Sequence, residues 1–198
     1  MTTVVLSAEA QRALLAWARA ALAAHFGGQP LQPAQHHEEL RRPAGAFVTL
    51  RRRSDHELRG CVGLMDTEGS LAAVVAEAAV AAATRDGRFD FVTAAELPDL
   101  RIEISVLGPV SAICSDEVEV GLHGLIVQFA GRRGLLLPQV PVDRGWDSET
   151  FLSWTCRKAG LPPDTWRKPD CELLAFTALV FGEDATANDA TEAPRHGE

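Results

Sequence analysis

"AFVTLRRRSDHELRGCVGLM", residues 46–65, holds two strand-like runs joined at Ser54, Asp55 and His56, and reads as a β-hairpin. Its second run places Gly60 and Gly63 around Cys61 and Val62. Glycine weakens a strand, so two of them in one run signal close approach of another backbone or of a ligand. If residues 58–64 are extended, Leu58, Val62 and Leu64 share one face. Arg59 and Cys61 share the other, with Cα atoms roughly 6.5–7 Å apart. Two readings stand open. A guanidinium beside Cys61 and a glycine-cleared approach suit a reactive thiolate. An unpaired cysteine is equally a small buried residue that fills space.

Working outward, residues 70–85, "SLAAVVAEAAVAAATR", form a helix capped by Ser70, with Leu71, Val74, Val75, Ala78 and Ala82 as its buried stripe. The "TAAE" of residues 93–96 has the form of a capping box. "RIEISVL" then alternates as a strand with Ile102, Ile104 and Val106 on one face. The same order returns further on. "GLIVQFAGRRGLLLPQV" is a hairpin turning near Gly131–Gly134. "DSETFLSWTCRKAG" is a helix capped by Asp147 and closed by Gly160, buried through Phe151, Leu152, Thr155, Cys156 and Ala159. "ELLAFTALVF" reads as one central strand, apolar on both faces. Residues 45–107 and 124–181 therefore each spell strand, strand, helix, strand. The expected fold class is α+β with this unit duplicated, mainly antiparallel sheet flanked by helices.

The amino end adds a helix over residues 7–26, capped by Ser7, with Leu15, Ala18, Leu22 and Phe26 on its stripe and Leu14 beside them. A Gly- and Pro-punctuated connector follows, with one helical turn near "HHEELRR". The domain is expected to span residues 1–182, and residues 183–198 to be a disordered tail, polar and without apolar period. No apolar run approaches the roughly 20 residues of a membrane span. The start lacks the basic, apolar pattern of a secretory leader, so the expected compartment is the cytoplasm.

The four cysteines, Cys61, Cys114, Cys156 and Cys171, show no zinc-ligand spacing. The histidines, His36, His37, His56 and His123 among them, form no ligand pattern, and no metal site is expected. In "TRDGRF", Arg85, Asp86 and Arg88 could bind a carboxylate or phosphate, or simply end a helix. In "GLLLPQVPVDRGWD", Pro138 is expected near a strand terminus or edge. Gln139, Asp143 and Trp146 could line a cleft, or Trp146 could staple the helix that Asp147 caps. Arg51, Arg52 and Arg53 sit at one hairpin tip, Arg132 and Arg133 at the other. The formal net charge of −8 argues against a general nucleic-acid binder.

"LRGCVG", "AAATRDGRF", "ELPDLRIEISVL", "HGLIVQ", "RRGLLLPQVPV" and "TCRKAGLPPDTW" occur in an order and spacing that resembles the AMMECR domain family. Its prokaryotic members are called AmmeMemoRadiSam system protein A. The chain departs from the usual pattern at Val62, where isoleucine is common, at Gly87, where proline is common, and at Arg144, where tryptophan is common. The resemblance implies a two-lobed α+β fold. It also implies a system with a Memo-like protein and a radical S-adenosylmethionine protein as partners. Its motifs mark Leu58, Arg59, Gly60, Cys61, Val62 and Gly63 as the site lining, followed by Arg85, Asp86, Arg88, Phe89 and Gln139.

Three functions follow as expectations. The favoured one is an accessory component that docks to the Memo-like and radical proteins. The first alternative is an enzyme using Cys61 as thiolate with Arg59 in support, where Gly60 and Gly63 leave room and Arg85, Asp86, Arg88 and Gln139 hold a small polar substrate. The second is an RNA-binding module built on the basic hairpin tips. No cofactor is named by the sequence.

Overall fold

The computed structural model describes residues 3–31, 37–65 and 69–183. His36 and residues 184–198 of the expected tail lie outside the described residues. The described residues divide into two compact units, one formed within 5–106 together with 180–183, the other by 107–179 together with 3–4.

In the first unit, helix α1 (Ala8–Gly27) starts where the Ser7 side chain accepts from the Ala10 N–H, and ends at Gly28, which is left-handed with φ 63°. Its buried side is Ala10, Leu14, Ala18, Ala21 and Leu22. The stripe is thus rotated from the expected one: Leu15 and Phe26 are only half-buried, and alanines take their place. Alanine allows close contact with a second alanine-rich helix, α2 (Leu71–Thr84), and the Trp17 indole donates across to the Ala72 carbonyl at 2.9 Å. α2 is buried nearly all round, through Leu71, Ala72, Val74, Val75, Ala78, Ala79, Ala81, Ala82 and Ala83. Such a helix is placed by what it touches on every side, not by its own amphipathicity.

Strands β1 (Ala46–Arg52) and β2 (Leu58–Leu64) form the expected hairpin, and β3 (Leu100–Leu107) pairs antiparallel on the other side of β1. With β8 (Ala178–Gly182) the sheet order is β2-β1-β3-β8, so β2 is an edge strand. Ala46, Val48, Leu50, Ile102, Ile104 and Val106 are fully buried. The opposite face is drier than its polar residues suggest, since Thr49 and Ser105 are also buried.

The second unit holds β4 (Ser111–Ala112), β5 (Gly124–Phe129), β6 (Arg132–Leu136), the short helix α3 (Gln139–Arg144), helix α4 (Ser148–Lys158) and β7 (Glu172–Phe176). Its sheet runs β4-β7-β5-β6. Each sheet therefore contains a hairpin with a third strand added beside its first one, β2-β1-β3 in one and β6-β5-β7 in the other. Phe151, Leu152, Leu125, Ala175 and Val118 form the core under α4.

The structure corrects one expectation. "ELLAFTALVF" is not one central strand: it breaks at Thr177 into β7 and β8, which belong to different sheets. The break is anchored by the Thr177 carbonyl, which accepts from the Gly108 N–H at 2.8 Å. An apolar run cannot display a change of sheet, because both pieces are buried alike. Pro138 does lie near a strand terminus, and a helix starts there. β6 stops at Leu136, and Pro138 is the N-cap of α3, with Pro141 in that helix's first turn. Proline is tolerated there because the first N–H groups of a helix have no partner within it.

Candidate functional site

Cys61 sits in the middle of edge strand β2, opposite Thr49, whose hydroxyl donates to Sγ at 3.3 Å. The sulfur-bearing residue is half-buried. The glycines around it are filled by protein. A Cβ at Gly60 would lie 2.0 Å from the carbonyl oxygen of Ala82, so α2 rests directly on β2 at that point. A Cβ at Gly63 would lie 2.3 Å from the Phe47 ring. The clearance seen in the sequence is occupied by a helix backbone and an aromatic ring.

Arg59 is committed elsewhere than to the thiol. Its guanidinium donates to Glu96 Oε1 at 2.7 Å and to the carbonyls of Asp90 and Phe91 at 2.5 and 3.1 Å. Its side chain is only 14% exposed, so it works as a clamp between β2 and the segment 90–96. Glu96 is itself fixed by the capping box, its carboxylate accepting from the Thr93 N–H and hydroxyl. The Arg59 hydrogen bond, with help from Thr93, holds the Glu96 carboxyl down at about 2, against an ordinary 4.5.

The charge next to Cys61 comes instead from "RDGRF". Asp86 follows the C-terminus of α2, and its Oδ2 accepts the Cys61 backbone N–H at 2.9 Å. That N–H lies on an edge strand, and the carboxylate closes a ladder position that would otherwise be open. Arg88 forks onto the same carboxylate, Nε to Oδ1 at 2.9 Å and Nη2 to Oδ2 at 2.7 Å. The Asp86 side chain is only 7% exposed, whereas Arg88 is 57% exposed. The Arg88 bond first, and the Cys61 N–H after it, hold the Asp86 carboxyl at about 2, against 3.8. Arg88 is raised above its ordinary range, chiefly by that hydrogen bond to Asp86 and in part by Cys61. Arg88, not Arg59, is therefore the cation linked to Cys61, through the Asp86 carboxylate that both the guanidinium and the Cys61 N–H bind.

Arg59 and Arg88 line one polar cleft of about 600 Å³ together with Arg52, Glu57, Leu58, Phe89 and Glu96. Of the sequence-marked residues, the structure thus gathers Arg59, Gly60, Cys61, Gly63, Asp86 and Arg88 in one region of the first unit. Arg85 has a separate role, since it is the C-cap of α2 and pairs loosely with Glu77 at 3.8 Å on the surface. Gln139 belongs to the second unit, at the start of α3. Glu96 and Thr49 were not singled out as site residues from the sequence. Glu96 carried a local signal in its capping box, but nothing local tied it to Arg59.

The remaining candidates have local roles. Arg52 pairs with Asp55 and Glu57, Arg53 with Glu183, and Arg132 donates to the Gly160 carbonyl. The basic tips are thus largely answered within their own units. Glu183, the first residue of the stretch expected to be tail, also binds Arg19 at 2.6 Å. His123 is buried and accepts the Glu119 N–H through Nδ1, and His37 pairs with Glu9. Among the described residues no helix is long and apolar enough to cross a membrane.

The fold and site define a protein of α+β class, two antiparallel sheets flanked by helices, with an Arg-Gly-Cys edge strand locked to the loop after a helix. The AMMECR1 family profile matches residues 15–181, and the chain belongs to that family. It is similar to Protein MK0488 of Methanopyrus kandleri, 46% identical over 155 residues, covering 74% of this chain and 75% of that one. It is similar too to Protein MJ0810 of Methanocaldococcus jannaschii, 38% identical over 174 residues, covering 84% and 87%. A solved structure, "Uncharacterized Protein PH0010" from Pyrococcus horikoshii, shares the fold with a TM-score of 0.79 at 39% identity, covering 86% of this chain and 90% of that one.

Proposed function

We propose that the chain is a non-catalytic accessory component that works by docking to the Memo-like and radical S-adenosylmethionine proteins its family name implies. The observation that carries this reading is the use made of the signature segment. Gly60 accommodates α2, Gly63 accommodates Phe47, and Arg59 clamps residues 90–96 through Glu96. Such contacts belong to a scaffold that fixes one surface. Among the described residues, Cys61 has the Thr49 hydroxyl at its sulfur and the Asp86 carboxylate at its backbone N–H. Neither is placed as a base on the thiol. General acid–base or nucleophilic chemistry would ask for a proton acceptor within hydrogen-bond reach of the sulfur.

One observation favours the enzyme reading: Cys61 is half-exposed, and the Asp86 carboxylate on its N–H is held by Arg88, which lines the polar cleft. A single experiment separates the two. The tagged chain and its Cys61→Ser variant are mixed with the purified Memo-like and radical proteins of the same genome, and both retention and turnover by the assembled set are measured. Equal retention and equal turnover are expected for the two forms. Failure to retain either partner overturns the accessory role, and loss of turnover in Cys61→Ser with retention intact transfers the function to the thiol.

A further inference from the structure

Trp154 lies on α4 opposite the buried side formed by Phe151, Leu152, Thr155 and Cys156, and it is 43% exposed. Its ring stacks on Trp146, with centroids 5.3 Å apart and planes 5° from parallel. Trp146 also packs on the core that contains Phe151, which is the staple arrangement at the start of α4. Arg144 covers the ring of Trp146 at 5.3 Å, and Arg157 covers that of Trp154 at 5.0 Å. Each ring of the pair thus has the other ring and one guanidinium as neighbours.

Beside this stack is a pocket of about 310 Å³ lined by Leu136, Val140, Arg144, Trp146, Trp154, Arg157 and Lys158. The lining contains three cations and no carboxylate, although the chain carries a formal net charge of −8. Among the described residues, none of Arg144, Arg157 and Lys158 is paired with an acidic side chain. The apolar floor is large enough for one bulky side chain, and the rim offers charge-assisted hydrogen bonds to carboxylates. Tryptophan and arginine are the residue types that dominate binding energy at protein interfaces. A nucleic acid is the poorer fit for a chain of formal net charge −8, since its affinity comes largely from neutralised phosphates.

We infer that this pocket is a docking site for an acidic segment of a partner protein that inserts one apolar side chain between flanking carboxylates. The inference rests on the accessory reading, since it supplies the surface that such a role needs. Selectivity comes from the pairing of a dry anchor with anionic neighbours, and binding weakens with salt as surface ion pairs are screened.

The test uses the full chain and a short fluorescein-labelled peptide with one phenylalanine between runs of glutamate, read by fluorescence anisotropy. Saturable binding below about 1 mM is expected, reduced at least tenfold by Trp154→Ala and by Arg157→Glu, with unchanged thermal melting of both variants. A peptide with alanine for phenylalanine, or lysine for glutamate, should lose binding to the same extent. Binding that ignores both substitutions overturns the inference. So does equal binding of the alanine peptide, which would reduce the site to unspecific charge. Competition by free phenylpropionate at peptide-like affinity would make it a metabolite pocket, and competition by oligouridine a nucleic-acid site; either result also overturns it. Retention of the Memo-like and radical proteins is scored separately. Retention by a chain that fails to bind the peptide leaves the accessory reading and removes this pocket from it. Peptide binding without retention does the reverse.

Discussion

The second strands of the two hairpins differ in one instructive way. In the first unit the run is Arg59-Gly60-Cys61, in the second Arg133-Gly134-Leu135. Both glycines lie under the C-terminal end of a helix: a Cβ at Gly60 would meet the Ala82 carbonyl, and one at Gly134 would lie 2.4 Å from the Ala159 nitrogen. A second pair of glycines follows suit, Gly63 under Phe47 and Gly124 under Phe176, each at 2.3 Å. The arginine–glycine step is therefore architecture common to both units. What the first unit has in addition is Cys61, the carboxylate of Asp86 on its N–H, and the exposed Arg88. Shared features explain how a helix is seated on a hairpin edge, and unshared ones are where function is to be sought.

The comparison breaks first at the glycines. Gly60→Ala and Gly134→Ala should each cost about 3 kcal/mol or more, because backbone cannot give way as a side-chain tip can. Urea unfolding of the two variants measures this. If Gly60→Ala is as stable as the parent, α2 does not rest on β2 as described, and the glycine regains a ligand-clearing role. If only one variant is destabilised, the two units do not use the same seating and the inferred kinship of their architecture fails.

The same glycines mark the boundary of what was legible in the sequence. Hairpins, caps and the alanine stripe of α2 could be read because each is a local pattern: alternation, a Ser or Asp before a helix, a capping box at Thr93 and Glu96. The glycines announced close approach but not its agent, since Ala82 is over twenty residues from Gly60 along the chain. Arg59 and Cys61 share a face of β2, yet shared facing does not fix where a long side chain ends. Arg59 reaches across to Glu96 and the Asp90 carbonyl, and the Asp86–Arg88 pair on the Cys61 N–H comes from a loop after α2. The change of sheet at Thr177 and the stack of Trp146 on Trp154 were hidden for the same reason. Both are tertiary events with no local period.

Acid should sharpen the contrast at intermediate size. Asp86 and Glu96 have folded pKa values of about 2 against ordinary values of 3.8 and 4.5. A depressed carboxyl contributes stability that is complete above its unfolded pKa and is lost as pH falls through the folded one. The first unit should therefore weaken between about pH 4.5 and 2, by roughly 1–2 kcal/mol after allowing for the exposure of Arg88. In the second unit the ion pair of Arg167 with Glu149 is at the surface and contributes little. Hydrogen exchange at pH 5 and pH 2.5 resolves the units: protection should fall in residues 58–64 and 86–100 before it falls in 124–136. Asp86→Asn with Glu96→Gln should flatten that acid dependence. An acid response equal in both units, or undiminished in the double variant, would show that these two carboxylates do not set it.

The smallest effect concerns the cysteine itself. Cys61→Ser should change stability by less than about 1 kcal/mol, as expected for a half-exposed side chain whose neighbours are held by other contacts. Its accessibility is the sharper readout. Cys156 is fully buried and desolvation pushes its thiol above the ordinary range, so alkylation there should wait for unfolding. Cys61 should instead react in the folded protein, because it is only partly covered and its sulfur is met by the Thr49 hydroxyl. Native-state alkylation followed by mass mapping distinguishes the two thiols directly. Should Cys61 stay as silent as Cys156 until denaturant is added, it is a packing residue. The distinction between the units would then reduce to Asp86 and Arg88, and their exposed side would be the part of the signature left to act on a partner.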